Sequence, residues 1–193
     1  MKFAAIIGTS LLFNFTSNVL AADASHCVSI DDGDSRLSCY DLEYGRNVSV
    51  QKGQGDWIVR SKKNPLDDSQ TTAMVLESEQ GTSRWGKPVV LVIRCQSNTT
   101  EMWINWRDYL GRDGPRITTR VGDTDAVTSR WSSSSDNSSS FYPRSPIGFI
   151  KKMMGAERFV AQTTPYNENP VTAVFNITGL EEAITPLRQN CNW

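Results

Sequence analysis

Nucleophilic catalysis needs a base held within hydrogen-bond reach of its nucleophile, and this 193-residue chain offers one histidine, His26. His26 directly precedes Cys27, in a stretch expected to become a flexible N-terminus after processing. A Ser-His-Asp or Cys-His arrangement would therefore rest on a terminal imidazole beside a cysteine expected to be oxidised, so no catalytic residue of this kind is expected. Paired carboxylates are the next option for hydrolysis. Asp67-Asp68 and Glu181-Glu182 are adjacent in sequence, and neighbours point to opposite faces of a strand or lie about 100° apart on a helix, so neither pair makes a clamp for glycoside cleavage. Both read better as solvated charge, in a turn and at a helix N-terminus. Asp31-Asp32-Gly33-Asp34 is similar to the start of a calcium loop but lacks the alternating acidic ligands and the distal Glu. Zinc is excluded by a lone histidine and the lack of any Cys-x-x-Cys pair. No metal site and no cofactor are expected, and the chain reads as a non-enzyme.

The cysteines Cys27, Cys39, Cys95 and Cys191 carry more information. An even count in an exported chain favours two disulfides. Of the three pairings we expect Cys27 with Cys39 and Cys95 with Cys191. On the chain-entropy model the short loop contributes about 3 kcal/mol and the long one about 5 kcal/mol. The long one would staple the C-terminus to the middle of a sheet. Export is read from the start of the chain: Lys2, an apolar run from Phe3 to Phe13, and small residues at Ala21, Ala22 and Ala24. Residues 1–22 are expected to be a signal peptide and residues 23–193 a single domain. The apolar run is shorter than the roughly 20 residues a spanning helix needs, so no transmembrane segment is expected. Ala24-Ser25-His26 is a poor lipid-attachment context for Cys27. The formal net charge of -1 gives no electrostatic case for nucleic acid or anionic membrane as partner.

The elements that would position these residues are mostly strands. Asp34 to Leu42 reads as a short helix capped by Asp34 or Ser35, with Leu37, Tyr40 and Cys39 turned inward. Trp57-Ile58-Val59 and Thr72 to Leu76 read as strands around a turn at Asn64 to Asp68. Pro88 to Cys95 is the strongest strand, apolar enough to be buried on both faces. It should pair as a hairpin with Glu101 to Trp106, where Met102, Ile104 and Trp106 share one face and Trp103 takes the other. Arg116 to Val121 and Ala126 to Trp131 continue the pattern. The serine-rich run Ser132 to Ser140 is a mobile loop or, more plainly, an edge strand. Pro146 to Met154 reads as a helix with Ile147, Ile150 and Met154 inward. Strands Arg158 to Thr163 and Thr172 to Ile177 follow. A closing helix carries the stripe Leu180, Ala183, Ile184 and Leu187.

Three arginines and a set of tryptophans are the binding candidates. Arg36, Arg94 and Arg107 sit beside apolar positions; Arg36 or Arg94 would pair with Asp41 or Asp68, or hold a ligand. Trp57, Trp85, Trp103, Trp106 and Trp131 read mainly as core because each buries so much apolar area. Trp103 is the best exposed candidate, since Met102 and Ile104 point the other way.

The order of these motifs carries a resemblance. Cys27-x-x-Ile30, Arg36-Leu37-x-Cys39-Tyr40-Asp41, Trp57-x-Val59 before Pro65-Leu66-Asp67-Asp68-Ser69, and Val92-Ile93-Arg94-Cys95 come first. Trp131-Ser132, Phe141, Phe175, Thr178-Gly179-Leu180 and the terminal Cys191-x-Trp193 follow. Together they resemble the VasI/TagO family of exported proteins associated with type VI secretion systems, across the whole mature chain. The resemblance implies a small periplasmic accessory protein and brings no established active site.

The expectation is a single β-rich α+β domain, a disulfide-stapled antiparallel β-sandwich with short edge helices. It would act by protein contact with a component of the secretion apparatus or cell envelope. The alternative is a carbohydrate- or peptidoglycan-binding module using exposed tryptophans, and a cell-wall hydrolase is weaker still.

Overall fold

The computed structural model describes residues 24–31, 33, 36, 37, 39, 40, 49–52 and 55–193. The expected signal peptide, the proposed caps Asp34 and Ser35, and Asp32 and Asp41 lie outside the described residues. The chain divides into two compact units, Met1–Arg46 and Asn47–Trp193.

In the first unit, a 3-10 helix at Ala24–Ser29 contains His26 and Cys27. Arg36, Leu37, Cys39 and Tyr40 are helical, as expected. Cys27 is bonded to Cys39, with Cα atoms 5.6 Å apart. Arg36 Nη1 donates to the Ile30 carbonyl at 3.0 Å, tying the helical segment back to the preceding residues. Leu37 departs from its expected inward position and is 56% exposed.

Among its described residues the second unit holds eleven strands: β1 (Ser49–Lys52), β2 (Ile58–Lys63), β3 (Gln70–Thr82), β4 (Pro88–Gln96), β5 (Thr99–Asn105), β6 (Arg116–Val121), β7 (Val127–Arg130), β8 (Ser132–Ser133), β9 (Ser139–Phe141), β10 (Arg158–Thr163) and β11 (Val171–Asn176). Its described residues also form the short helices α1 (Ile147–Met153), α2 (Leu180–Ala183) and α3 (Thr185–Asn190).

The β4–β5 hairpin forms for the reasons its sequence suggests. Ser97 and Asn98 both have positive φ, 49° and 57°, and join the pair Gln96↔Thr99. Two consecutive left-handed residues give the turn whose twist suits a two-residue hairpin. On β4, Val89, Leu91, Ile93 and Cys95 are fully buried on one face, and Val90 and Val92 are 7% and 9% exposed on the other. Burial on both faces is thus borne out. β3 is longer than expected because it serves two neighbourhoods. It pairs with β2 and β4 along its first part and meets β11 through Val174↔Gln80. Between Glu77 and Thr82 its register against β4 shifts, the signature of a bulge that bends the strand. Gly81, with φ of 89°, sits at this bend, where an added Cβ would lie 2.2 Å from the Thr172 carbonyl oxygen. Only glycine allows that approach.

All described pairings are antiparallel. The order runs β7-β6-β10-β11-β3-β4-β5-β9-β8, with β2 and β1 branching from β3. The two ends of this order, β7 and β8, are separated in sequence only by Trp131, so the sheet bends round into a nearly closed, barrel-like form. The antiparallel, β-rich class and both disulfides are as expected. The pairings support this curved sheet and do not establish the two-layer sandwich.

The serine-rich run resolves as the edge-strand alternative. β8 and β9 form a tight hairpin around Asp136, whose carboxylate accepts from Ser134 Oγ, the Ser138 N–H and Ser138 Oγ. These bonds, the one from Ser134 foremost, hold its pKa below the usual aspartate value. Helix α1 buries Ile150 and Met153, where the expected inward residue was Met154. Met154 has already left the helix, with ψ of 134°. The C-terminal stripe is as expected: Leu180, Ala183, Ile184 and Leu187 are all buried. Cys191, at the end of α3, bonds Cys95 with Cα atoms 5.8 Å apart, fixing the C-terminus to central strand β4.

Candidate functional site

Alternation on β5 puts Met102 and Ile104 inside and turns Trp103 outward, as predicted. The outer face is not bare. Ile58, Val75, Val92, Trp103 and Phe141 are register neighbours in turn across β2, β3, β4, β5 and β9, forming one transverse apolar row. Trp103 stacks on Phe141 with ring centroids 5.2 Å apart. The Arg94 guanidinium lies 5.1 Å above the Trp103 ring, and Arg94 Nε donates to Glu101 Oε2 at 3.2 Å. Glu101 is the cross-strand partner of Arg94, so sheet register supplies its anion in place of the expected Asp68, while Asp41 lies outside the described residues. Asp68 instead pairs with Lys63 at 2.8 Å. Trp103 and Arg94 are therefore half-buried and engaged with their own sheet.

A second assembly, which the sequence reading missed, lies where three loops meet. After β3, a tight turn is closed by Ser83 N–H to Lys87 O at 2.8 Å and Gly86 N–H to Ser83 O at 2.9 Å. Ser83 Oγ accepts from the Trp85 and Lys87 amides. The turn lifts Trp85 to 70% exposure. After β5, Arg107 takes a left-handed conformation, φ 58°, and donates its N–H to Asn105 Oδ1 at 2.9 Å. This sharp turn sends Asp108 inward. Its carboxylate receives the Arg84 N–H at 3.0 and 3.3 Å, joining the loop to the turn.

The third loop follows β10. Tyr166 donates its N–H to the Tyr109 carbonyl at 2.8 Å, and the two rings meet edge to face with centroids 5.8 Å apart. Glu168 Oε1 lies 3.6 Å from Arg84 Nη1. Arg84 also covers Trp85, 4.7 Å from the ring centroid. The result is a group of exposed aromatics, Trp85, Tyr109 and Tyr166, set by main-chain hydrogen bonds around a guanidinium held between Asp108 and Glu168. Rings held this way lose little conformational entropy on binding, and Trp, Tyr and Arg are the usual anchors of protein interfaces. The exposed turn around Trp85 left no periodicity to read; Trp85-Gly86 after Ser83-Arg84 was its only sequence signal.

Three further tryptophans are core. Trp57, Trp106 and Trp131 are at most 2% exposed, and each indole N–H is satisfied, by the Ile177 carbonyl, Ser140 Oγ and Ser129 Oγ respectively. Arg107 contacts Glu77 at 3.5 Å. Asp67 accepts from Ser69 Oγ and N–H in its turn, and these bonds lower its pKa. Glu181 and Glu182 occupy the first turn of α2. Among the described residues no group of three or more His, Cys, Asp or Glu side chains converges, and no helix is long and apolar enough to cross a membrane.

The family model described as type VI secretion system VasI, EvfG, VC_A0118 matches residues 26–193, and the chain belongs to that family. No curated protein and no solved structure matches it.

Proposed function

We propose that this member of the VasI family is a periplasmic accessory of the type VI secretion apparatus that works by protein contact and not by catalysis. The observation that carries this reading is the loop assembly of Trp85, Tyr109 and Tyr166 around Arg84, a set of ordered and exposed anchor residues. Two disulfides suit an oxidising compartment. Trp103 and Arg94 offer a lesser contact on the outer face of β4 and β5, because their intramolecular partners already cover them. The loop assembly holds aromatic faces, a guanidinium and carboxylates, a composition suited to binding a protein surface. The test is complementation of a deletion strain with Trp85→Ala/Tyr166→Ala. Secretion should fall while the exported protein accumulates at its normal level. Full secretion by this variant would overturn the assignment of the surface.

A further inference from the structure

The barrel-like sheet is left open along one seam. The stretch from β7 to β8 pairs with β6 through Val127–Arg130 and with β9 through Ser132 and Ser133. It changes partner at Trp131, whose ring meets Tyr142 edge to face at 5.2 Å. Beyond that contact, β7 has β6 on one side only. The Trp131 N–H bonds the Pro115 carbonyl at 2.9 Å. In an antiparallel ladder inward-bonding residues alternate, so Ser129 and Val127 also bond towards β6, while Thr128 and Arg130 turn their N–H and C=O groups away from it. The close Thr118–Thr128 hydroxyl contact, 2.8 Å, fits a non-hydrogen-bonded pair. Among the described residues no main-chain partner meets the Thr128 or Arg130 amide.

Beside this free edge lies a groove of about 610 Å³. Val121, Val127 and Ser129, inner-face residues of β6 and β7, line one wall, and Tyr142, Phe149 and Lys152 line the other. Val127 points to the inner face yet is 62% exposed, because no strand closes the seam over it. Asp125 and Lys152 also border the groove, and among the described residues neither is in an ion pair.

We propose that this seam binds an extended polypeptide segment of a protein partner, which adds as a strand to the free edge of β7. Its main chain pairs with Thr128 and Arg130. Alternate apolar side chains enter the groove against Val127 and Phe149, an acidic residue meets Lys152, and a basic one meets Asp125. Main-chain pairing supplies affinity and the alternate side chains supply selectivity, as in other strand-addition complexes. This inference does not depend on the secretion role or on the loop assembly at Trp85.

The test uses the full exported chain with both disulfides intact and an alternating valine–threonine nonapeptide ending in glutamate on one side and lysine on the other. Amide hydrogen exchange read by NMR should show the Thr128 and Arg130 amides gaining at least about tenfold protection on saturation, with Val127→Asp and Lys152→Glu each weakening binding about tenfold. Thr128→Pro removes an outward N–H while leaving the bonds to β6, and should abolish binding; if it does not fold, the Val127 and Lys152 variants decide. Absence of binding at millimolar peptide, or binding that leaves the Thr128 and Arg130 amides unprotected, would overturn the proposal.

Discussion

Asp108 and Arg84 are 24 residues apart, yet both oxygens of the Asp108 carboxylate receive the Arg84 backbone N–H, at 3.0 and 3.3 Å. The Asp108 side chain is 3% exposed. A buried carboxylate is costly unless hydrogen bonds replace its water, so this contact locks the loop after β5 to the turn that carries Trp85. Asp108→Ala leaves the Arg84 amide without its acceptor and should cost about 1–3 kcal/mol. It should also change the fluorescence of Trp85. Thermal melting with tryptophan fluorescence checks both, and an unchanged melting temperature would show that the lock is dispensable.

The disulfide between Cys95 and Cys191 closes a separation of 96 residues. Removing it as Cys95→Ser/Cys191→Ser should lower stability by about 4 to 5 kcal/mol on the chain-entropy model. Urea unfolding measures the loss. Non-reducing peptide mapping should recover this link and Cys27–Cys39, and a Cys27–Cys191 peptide would contradict the pairing.

Three substitutions separate core from surface. Leu91→Ala, at a fully buried position of β4, should cost about 2–5 kcal/mol through lost burial and a residual cavity. Trp103→Ala should cost about 1–2 kcal/mol, reflecting its stack on Phe141 and the Arg94 cover. Trp85→Ala should stay within about 0.5 kcal/mol, as exposed substitutions usually do. Calorimetry that put Trp85 above Trp103 would invert this assignment.

How much of this was legible beforehand depends on how far apart the deciding residues lie in sequence. The β4–β5 hairpin was legible because the near-continuous apolar run of Val89 to Cys95 and the period of two through Met102, Ile104 and Trp106 are local signals, as is the helical stripe Leu180 to Leu187. The outward turn of Trp103 followed from the same period, but its half-burial did not, because Phe141 comes from a strand 38 positions later, as the pairing Trp103↔Phe141 shows. The Arg94 partner was likewise missed: Glu101 becomes its neighbour only through hairpin register. The bend of β3 rests on Gly81 meeting Thr172, and the barrel-like closure rests on strand order, which no short window contains. The assembly at Trp85 required three loops to meet, so its residues looked like unrelated turn positions.

The Asp136 carboxylate should titrate below the value of an aspartate in an unstructured peptide, because Ser134 and Ser138 hydrogen bonds favour its charged form. A depressed pKa in the folded state contributes stability that is present above the unfolded-state value and lost as pH falls through the folded-state value. Carboxyl carbon shifts followed against pH check this. A midpoint at or above the unstructured value would contradict the hydrogen-bonded hairpin.

The central claim, that the loop assembly is a protein-contact surface, is tested most directly by placing a photo-crosslinking amino acid at position 85 or 166 of the exported protein and illuminating living cells. A discrete adduct with a protein component of the secretion apparatus is expected, reduced by Asp108→Ala and absent when the crosslinker replaces exposed Leu66. An adduct with cell-wall material in place of protein, or equal adducts from positions 85 and 66, would contradict it.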